Sequence, residues 1–220
     1  KEYYKKKGVK VIISDYKVIR ICRDKIKTNK FLNQIKIATP RLIDFEKVGN
    51  NLPIIIKKRY GSGSKHQFII RDKKLKILKH DKSFVYQKLY KYQEYGMDIL
   101  NDLKGNFLHT TVKKKLAMRS GDTDRAKLMN PKFFLRIAKK LSLNLKHVGN
   151  LDVDFLLNKK KVIVLDLNPR FGGGYPFSHE YGYNYIETLI NLAQNKKIKK
   201  FKNFSNKNNL FSKGITIHKH

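Results

Sequence analysis

VIVLDLNPRFGGGYPF, residues 162–177, decides the reading of this chain. Val162 to Leu167 is a run of strand-forming apolar residues interrupted near its end by a carboxylate. Side chains on a strand alternate faces, so Asp166 and Asn168 point the same way. A buried charge needs a partner, which makes the acid a poor core residue. Two hard oxygen donors side by side suit Mg²⁺, which takes one or two protein ligands and completes its octahedron with water and phosphate oxygens. Mn²⁺ accepts the same donors. Arg170 adds a planar cationic fork suited to carboxylate or phosphate, and Gly172-Gly173-Gly174 let backbone approach a bound group. The plainer alternative is a strand end with a capping Asn and a glycine loop.

Immediately upstream, Asn150-Leu151-Asp152-Val153-Asp154-Phe155 sets two acids on one strand face, in a chain with only 17 Asp and Glu. Asn158-Lys159-Lys160-Lys161 reads as a turn, so 151–157 and 162–167 form a hairpin. Further back, Pro53 to Lys57 reads as a strand ending in lysine before Gly61-Ser62-Gly63-Ser64. Glycines let N–H groups close on a phosphate and a lysine supplies a point charge to it, although most Gly-Ser turns are only turns. No Gly-Lys-Ser/Thr opens a helix, so this is not a P-loop.

The remaining pattern indicates an α+β chain. Gly8 to Ile21 holds two short apolar runs that look like the end of an α/β unit. Helices are expected over 24–37, 131–143 and 178–193, the last with Ser178 as its N-cap. Strands are expected over 52–57, 67–70, 75–78, 84–89, 94–101 and 106–112, with Leu103-Lys104-Gly105 as a hairpin turn. From Asn195 the chain is polar and rich in Asn and Lys, with Leu210-Phe211 its one apolar cluster.

Composition bounds the function. At 220 residues and 40% apolar, the chain can bury one large core or two small ones. No run approaches the ~20 apolar residues of a membrane span and no signal peptide is visible, so no membrane partner is expected. Cys22 is the only cysteine, which excludes internal disulfides and fits a reducing, cytoplasmic setting. A formal charge of +33 predicts non-specific polyanion binding. The lysines are scattered, however, and no nucleic-acid-binding motif accompanies them.

The hairpin and its Asp166-Leu167-Asn168-Pro169-Arg170 resemble the metal-binding strands of the ATP-grasp superfamily, in the variant shared by carbamoyl-phosphate synthase large subunits and related carboxylate–amine ligases. Asp166 stands where that family usually has Glu. The resemblance covers about residues 24–193. It implies two α+β subdomains gripping ATP, residues 23–88 with a glycine lid and 89–194 with the metal site. Residues 1–22 would be the tail of an N-terminal α/β domain, so the chain is expected to be a fragment or a reduced form. Residues 195–220 would be a basic extension. Lys57 becomes the phosphate lysine, Gly61 to Ser64 the lid, and Lys25 a second nucleotide lysine. Gln87, Lys88 and Leu89 would meet adenine, and Glu94 the ribose hydroxyls. Asp154, Asp166 and Asn168 would hold Mg²⁺. Arg170 and Arg119 would meet the transferred phosphate, while Lys113–Lys115 reads equally well as a solvated face. His179 and Glu180 are weaker substrate candidates. The implied reaction activates a carboxylate with Mg-ATP as an acyl phosphate, from which an amine then displaces phosphate to form a C–N bond. An N-terminal domain or a second copy is the expected protein partner. Two other classes stay open: an ATP-binding module without turnover, and a basic nucleic-acid-binding protein.

Overall fold

The computed structural model describes residues 1–61, 67–72 and 81–214. Ser62, Gly63 and Ser64 of the expected lid and the expected strand 75–78 lie outside the described residues.

Among the described residues, two antiparallel sheets organise the fold. A small one joins β1 (Ile54–Lys58), β2 (Gln67–Ile70) and β3 (Phe84–Lys88) in the order β2–β1–β3. A large one joins β4 (Gln93–Asn101), β5 (Phe107–Arg119), β6 (Asp122–Met129), β7 (Gly149–Asn158), β8 (Lys161–Asn168) and β9 (Leu210–Ser212). Its order is β8–β7–β4–β5–β6–β9. The helices are α1 (Glu2–Lys6), α2 (Tyr16–Arg23), α3 (Lys25–Gln34), α4 (Leu135–Leu145), α5 (Tyr175–Glu180) and α6 (Tyr185–Ala193).

Alternation along the large sheet produces its two faces. Met97, Ile99, Val112, Leu151, Val153 and Phe155 point to one side and pack against Val18 and Cys22 of α2, Leu32 of α3, and Ala138, Leu141 and Leu145 of α4. Leu100, Ala126 and Leu128 join a second core with the aromatic residues of α5 and α6. A third core, around Ile54, Ile56 and Tyr86, sits under the small sheet.

Several expectations change in detail. The second N-terminal apolar run is helix α2, because Val18 and Cys22, four residues apart, share the buried face. The expected helix 178–193 is two helices, and Gly182 between them has φ +104, which a helix cannot continue through. Ser178 is therefore not an N-cap. Asn184 caps α6 by accepting from Glu187 N–H at 2.9 Å, while Ser178 donates to the buried Asp98 at 2.7 Å. The C-terminal segment also contributes β9, with Ala126 opposite Phe211. Among the described residues no helix is long and apolar enough to cross a membrane.

Candidate functional site

Strand register sets a polar stripe across the second face of the large sheet. Thr111, Asp98, Asp152 and Asn168 are successive neighbours on β5, β4, β7 and β8, and Lys113, Gly96, Asp154 and Asp166 form the adjacent row. Both rows lie two residues apart on every strand, so all eight side-chain positions share one face. The stripe forms one wall of a cleft of about 300 Å³, and Lys57, Lys58, Gly61 and Gln67 bring the small sheet to the same cleft.

Cations and acids interleave there. Lys25 is positioned by its neighbour Asp24, which caps α3 by accepting from Ile26 N–H at 3.0 Å and receives Arg59 at 2.9 and 2.7 Å and Tyr60 at 3.1 Å. Burial alone would raise the Asp24 carboxyl, but those donors hold it below the usual range. This ties the segment after β1 to the start of α3. The Lys25 ammonium thereby donates to Gly61 O at 3.0 Å and stands 3.2 Å from Asp166. Lys115 reaches both Glu94 and Asp154 at 2.6 Å. Lys113 pairs with Asp98, beneath which Ser178 and Thr111 complete a buried network. Arg170 stands 4.0 Å from Asp152, and Asn168 donates to the same carboxylate at 3.5 Å.

The electrostatics follow from that packing. Burial lowers the Lys57 ammonium, which is 7% exposed, and Lys25 adds to the effect against the pull of Asp166, Glu94 and Asp154. Burial likewise lowers Lys115, but Asp154 and Glu94 outweigh it and raise this ammonium overall. Asp152 is pushed up to about 7 by burial and by Asp154 and Asp98. Asp166 is raised by burial, with Lys25 and Lys57 opposing. Backbone crowds the acids from the other side. A Cβ on Gly172 would overlap the Asp152 carboxylate, and one on Gly173 that of Asp122.

Of the residues singled out in the sequence, Lys25, Lys57, Gly61, Glu94, Asp154, Asp166, Asn168 and Arg170 line this one cleft. Gln87, Lys88 and Leu89 do not. Gln87 is buried in β3 and bridged to Leu42, the Lys88 N–H bonds Arg41 O, and the Leu89 N–H bonds Pro53 O. Arg119 also lies off the cleft wall, 58% exposed at its side chain and paired with Asp124 at 3.0 Å. Its neighbours Met118 and Ser120 line the cleft instead. His179 belongs to α5 and meets Tyr175 at 3.4 Å. Sequence reasoning missed Lys113 and Lys115 as wall residues because it ended their strand at Val112. Alternation within Lys113-Lys114-Lys115 was the available signal, since a longer strand turns the first and third to one face.

The donor set fits a divalent cation that arrives with phosphate. Among the described residues no three His, Cys, Asp or Glu side chains converge as a cage. Asp154 and Asp166 face each other across β7 and β8, with Asn168 two residues along. One or two carboxylates plus phosphate oxygens is the usual Mg²⁺ arrangement.

Known proteins share this frame. A family model of the ATP-grasp domain matches residues 22–174. The carbamoyl phosphate synthase large chain of Helicobacter pylori is 23% identical over 93% of this chain, and that alignment spans 22% of the relative. A carbamoyl-phosphate synthase of Methanobrevibacter smithii is 24% identical over 86% of this chain and 57% of its own length. The chain thus spans less than two thirds of either relative. The biotin carboxylase domain of Hydrogenobacter thermophilus 2-oxoglutarate carboxylase, solved with MgADP, ADP and bicarbonate, superposes with TM-score 0.73. It is 14% identical and covers 90% of this chain and 51% of that one. Carboxyaminoimidazole ribonucleotide synthase of Aspergillus clavatus, solved with ATP, gives TM-score 0.71 at 13% identity, over 90% of this chain and 58% of its own.

Proposed function

The chain belongs to the ATP-grasp family, and on that premise we propose that it is an ATP-dependent ligase that joins a carboxylate to an amine. The observation that carries this reading is the pair of Asp154 and Asp166 with Asn168 in one cleft that Lys25, Lys57 and Lys115 also line. The relatives named above are by name carbamoyl-phosphate synthases, a biotin carboxylase domain and a carboxyaminoimidazole ribonucleotide synthase, and the frame they share with this chain supports a ligase reading here.

In this reading Lys25, Lys57 and Lys115 take the nucleotide phosphates. Each is a point donor that trades a carboxylate partner, or a buried vacancy of charge, for a phosphate oxygen. Asp154, Asp166 and Asn168 would hold Mg²⁺ or Mn²⁺, which when bound neutralises phosphate charge during phosphoryl transfer. Gly61 opens the glycine segment that would cover the phosphates. Glu94, freed from Lys115, accepts the ribose hydroxyls. Arg170 orients the substrate carboxylate as it attacks the γ-phosphate and ADP leaves. An amine then attacks the acyl carbon of the resulting acyl phosphate, forming the C–N bond as inorganic phosphate leaves. Fixed cations aimed at developing charge supply the main rate term, and no side-chain nucleophile is required. Arg119 could join the phosphates only by leaving Asp124, whereas Lys113 and Lys115 already line the cleft.

The test is ADP release. The purified protein, Mg-ATP and a panel of acid and amine pairs should release ADP only when one matching pair is present. Tight Mg-ATP binding with no pair-dependent ADP release would instead mark a nucleotide-binding module.

A further inference from the structure

Arg170 lines a second cleft, of about 220 Å³, as well as the main one. Its walls are otherwise almost wholly apolar and include Ile12, Phe171, Ile186, Leu189 and Ile190. Ile186 and Ile190 of α6 are 46% and 49% exposed, so the fold leaves two aliphatic side chains of this wall uncovered. One wall residue is polar and buried. Asn150, 3% exposed, lies on β7 two residues before Asp152, on the face that carries the acids.

The orientation of that amide is fixed by its neighbours. Asn150 Nδ2 faces two acceptors, Asp98 Oδ1 at 3.4 Å and Arg170 O at 3.2 Å. Turning the amide over would set oxygen against both. Asn150 Oδ1 is left, among the described residues, as a buried side-chain oxygen with no hydrogen-bond partner. Buried polar atoms in native proteins are nearly always paired, so an unpaired acceptor beside a cleft marks a place for a donor. The cleft is smaller than the ~300–1,000 Å³ typical of sites for drug-sized ligands.

Resting on the ligase reading, we propose that this second cleft seats one of the two substrates, and that this substrate is a small amino acid with an aliphatic side chain. Its carboxylate faces the Arg170 guanidinium, its amino group donates to Asn150 Oδ1, and its side chain lies against Ile186, Leu189 and Ile190. The three features are one cation, one unpaired acceptor and one apolar wall. Together they match the three groups of such an amino acid and disfavour acidic or lysine-like side chains.

Methyl-labelled protein is titrated with L-leucine without ATP, and the Ile and Leu methyl resonances are followed by NMR. Leucine should give saturable shifts at the methyls of Ile186, Leu189 and Ile190. L-Alanine should bind at least about tenfold more weakly, because each lost methylene in an apolar pocket is worth roughly tenfold or more. 4-Methylpentanoate, which lacks the amino group, should also bind about tenfold more weakly, reflecting the unpaired Asn150 oxygen. Ile190→Lys, at an exposed helix position, should remove the leucine shifts. No leucine shifts, or equal shifts with leucine, L-glutamate and L-lysine, would overturn the proposal. Equal binding of leucine and 4-methylpentanoate would remove Asn150 from it. Leucine binding without leucine-dependent ADP release would sustain the subsite and sink the ligase reading. Pair-dependent ADP release with no leucine shifts would do the reverse.

Discussion

The Lys25 ammonium stands 3.2 Å from the Asp166 carboxylate, joining the first turn of α3 to the end of β8. The acid best placed for a cation is therefore already neutralised by a lysine, and Lys115 does the same for Asp154. Phosphate and divalent cation relieve both pairs together, since the lysines gain phosphate oxygens as the acids gain a metal. Divalent cation alone should bind weakly and nucleotide with cation tightly. Lys25→Ala should tighten binding of Mn²⁺ alone while weakening ATP by about tenfold to a hundredfold, the usual worth of one charge-assisted hydrogen bond. Calorimetry with each ligand separates the two effects. A variant that loses affinity for both would show that Lys25 only supports the fold.

Lys115 and Arg119 lie four residues apart and make opposite predictions. Lys115 lines the cleft between Glu94 and Asp154, so Lys115→Ala should weaken ATP by about tenfold or more. Arg119 is an exposed partner of Asp124. Arg119→Ala should change the Kd for ATP by less than about twofold and stability by less than about 0.5 kcal/mol. Reversal of this order would return Arg119 to the phosphate.

Lys113 and Asp98 form a buried pair, satisfied further by Ser178 and Thr111. Removing one partner strands a charge, so Lys113→Ala should lower unfolding free energy by about 3–5 kcal/mol. Lys113→Met combined with Asp98→Asn removes both charges and should recover most of that loss. Urea unfolding of the two variants gives the answer, and a double variant no more stable than the single one would contradict the pairing.

Acid stability should depend on His147. Its ring is fully buried, with Nε2 against Ile99 O at 3.1 Å and Nδ1 facing the Asn101 amide at 3.4 Å. Burial lowers it to about 4, against 6.5 as its ordinary value, and burial lowers His109 to about 4 as well. A depressed histidine is neutral in the fold and takes up its proton more readily once unfolded. Its contribution is fully present above pH 6.5 and is lost as pH falls towards 4. Within that window His147 should cost about 1.4 kcal/mol per pH unit. His147→Gln should flatten the fall in thermal midpoint between pH 6.5 and 4. An unchanged pH profile would mean that His147 does not stay neutral in the fold.

The hairpin of β7 and β8 was legible because two cues agree there: alternation with period two, and a lysine-rich turn between the strands. Acids on the polar face of an otherwise apolar pair stand out by the same logic. Lys57 had one weak local cue, a strand end before a glycine turn, whereas Lys25 could be picked from fifty cations only through family resemblance. Asp98, Lys113 and Lys115 were hidden because their roles depend on which strands become neighbours, and β4 lies between β5 and β7 only in the folded sheet. The division between α5 and α6 turned on one glycine within an apolar helical pattern. The pairing of Arg119 with Asp124 was equally invisible, because a bulged β5–β6 ladder sets which side of the hairpin the arginine takes.

The most direct test of the account is calorimetric titration of ATP with and without Mg²⁺, at salt high enough to screen the +33 charge, on the native protein and Asp166→Ala. The account predicts saturable binding of one nucleotide that needs Mg²⁺ and is lost in Asp166→Ala. Binding that ignores Mg²⁺, survives in Asp166→Ala and fades as salt rises would contradict it, and would leave the net charge alone holding the nucleotide.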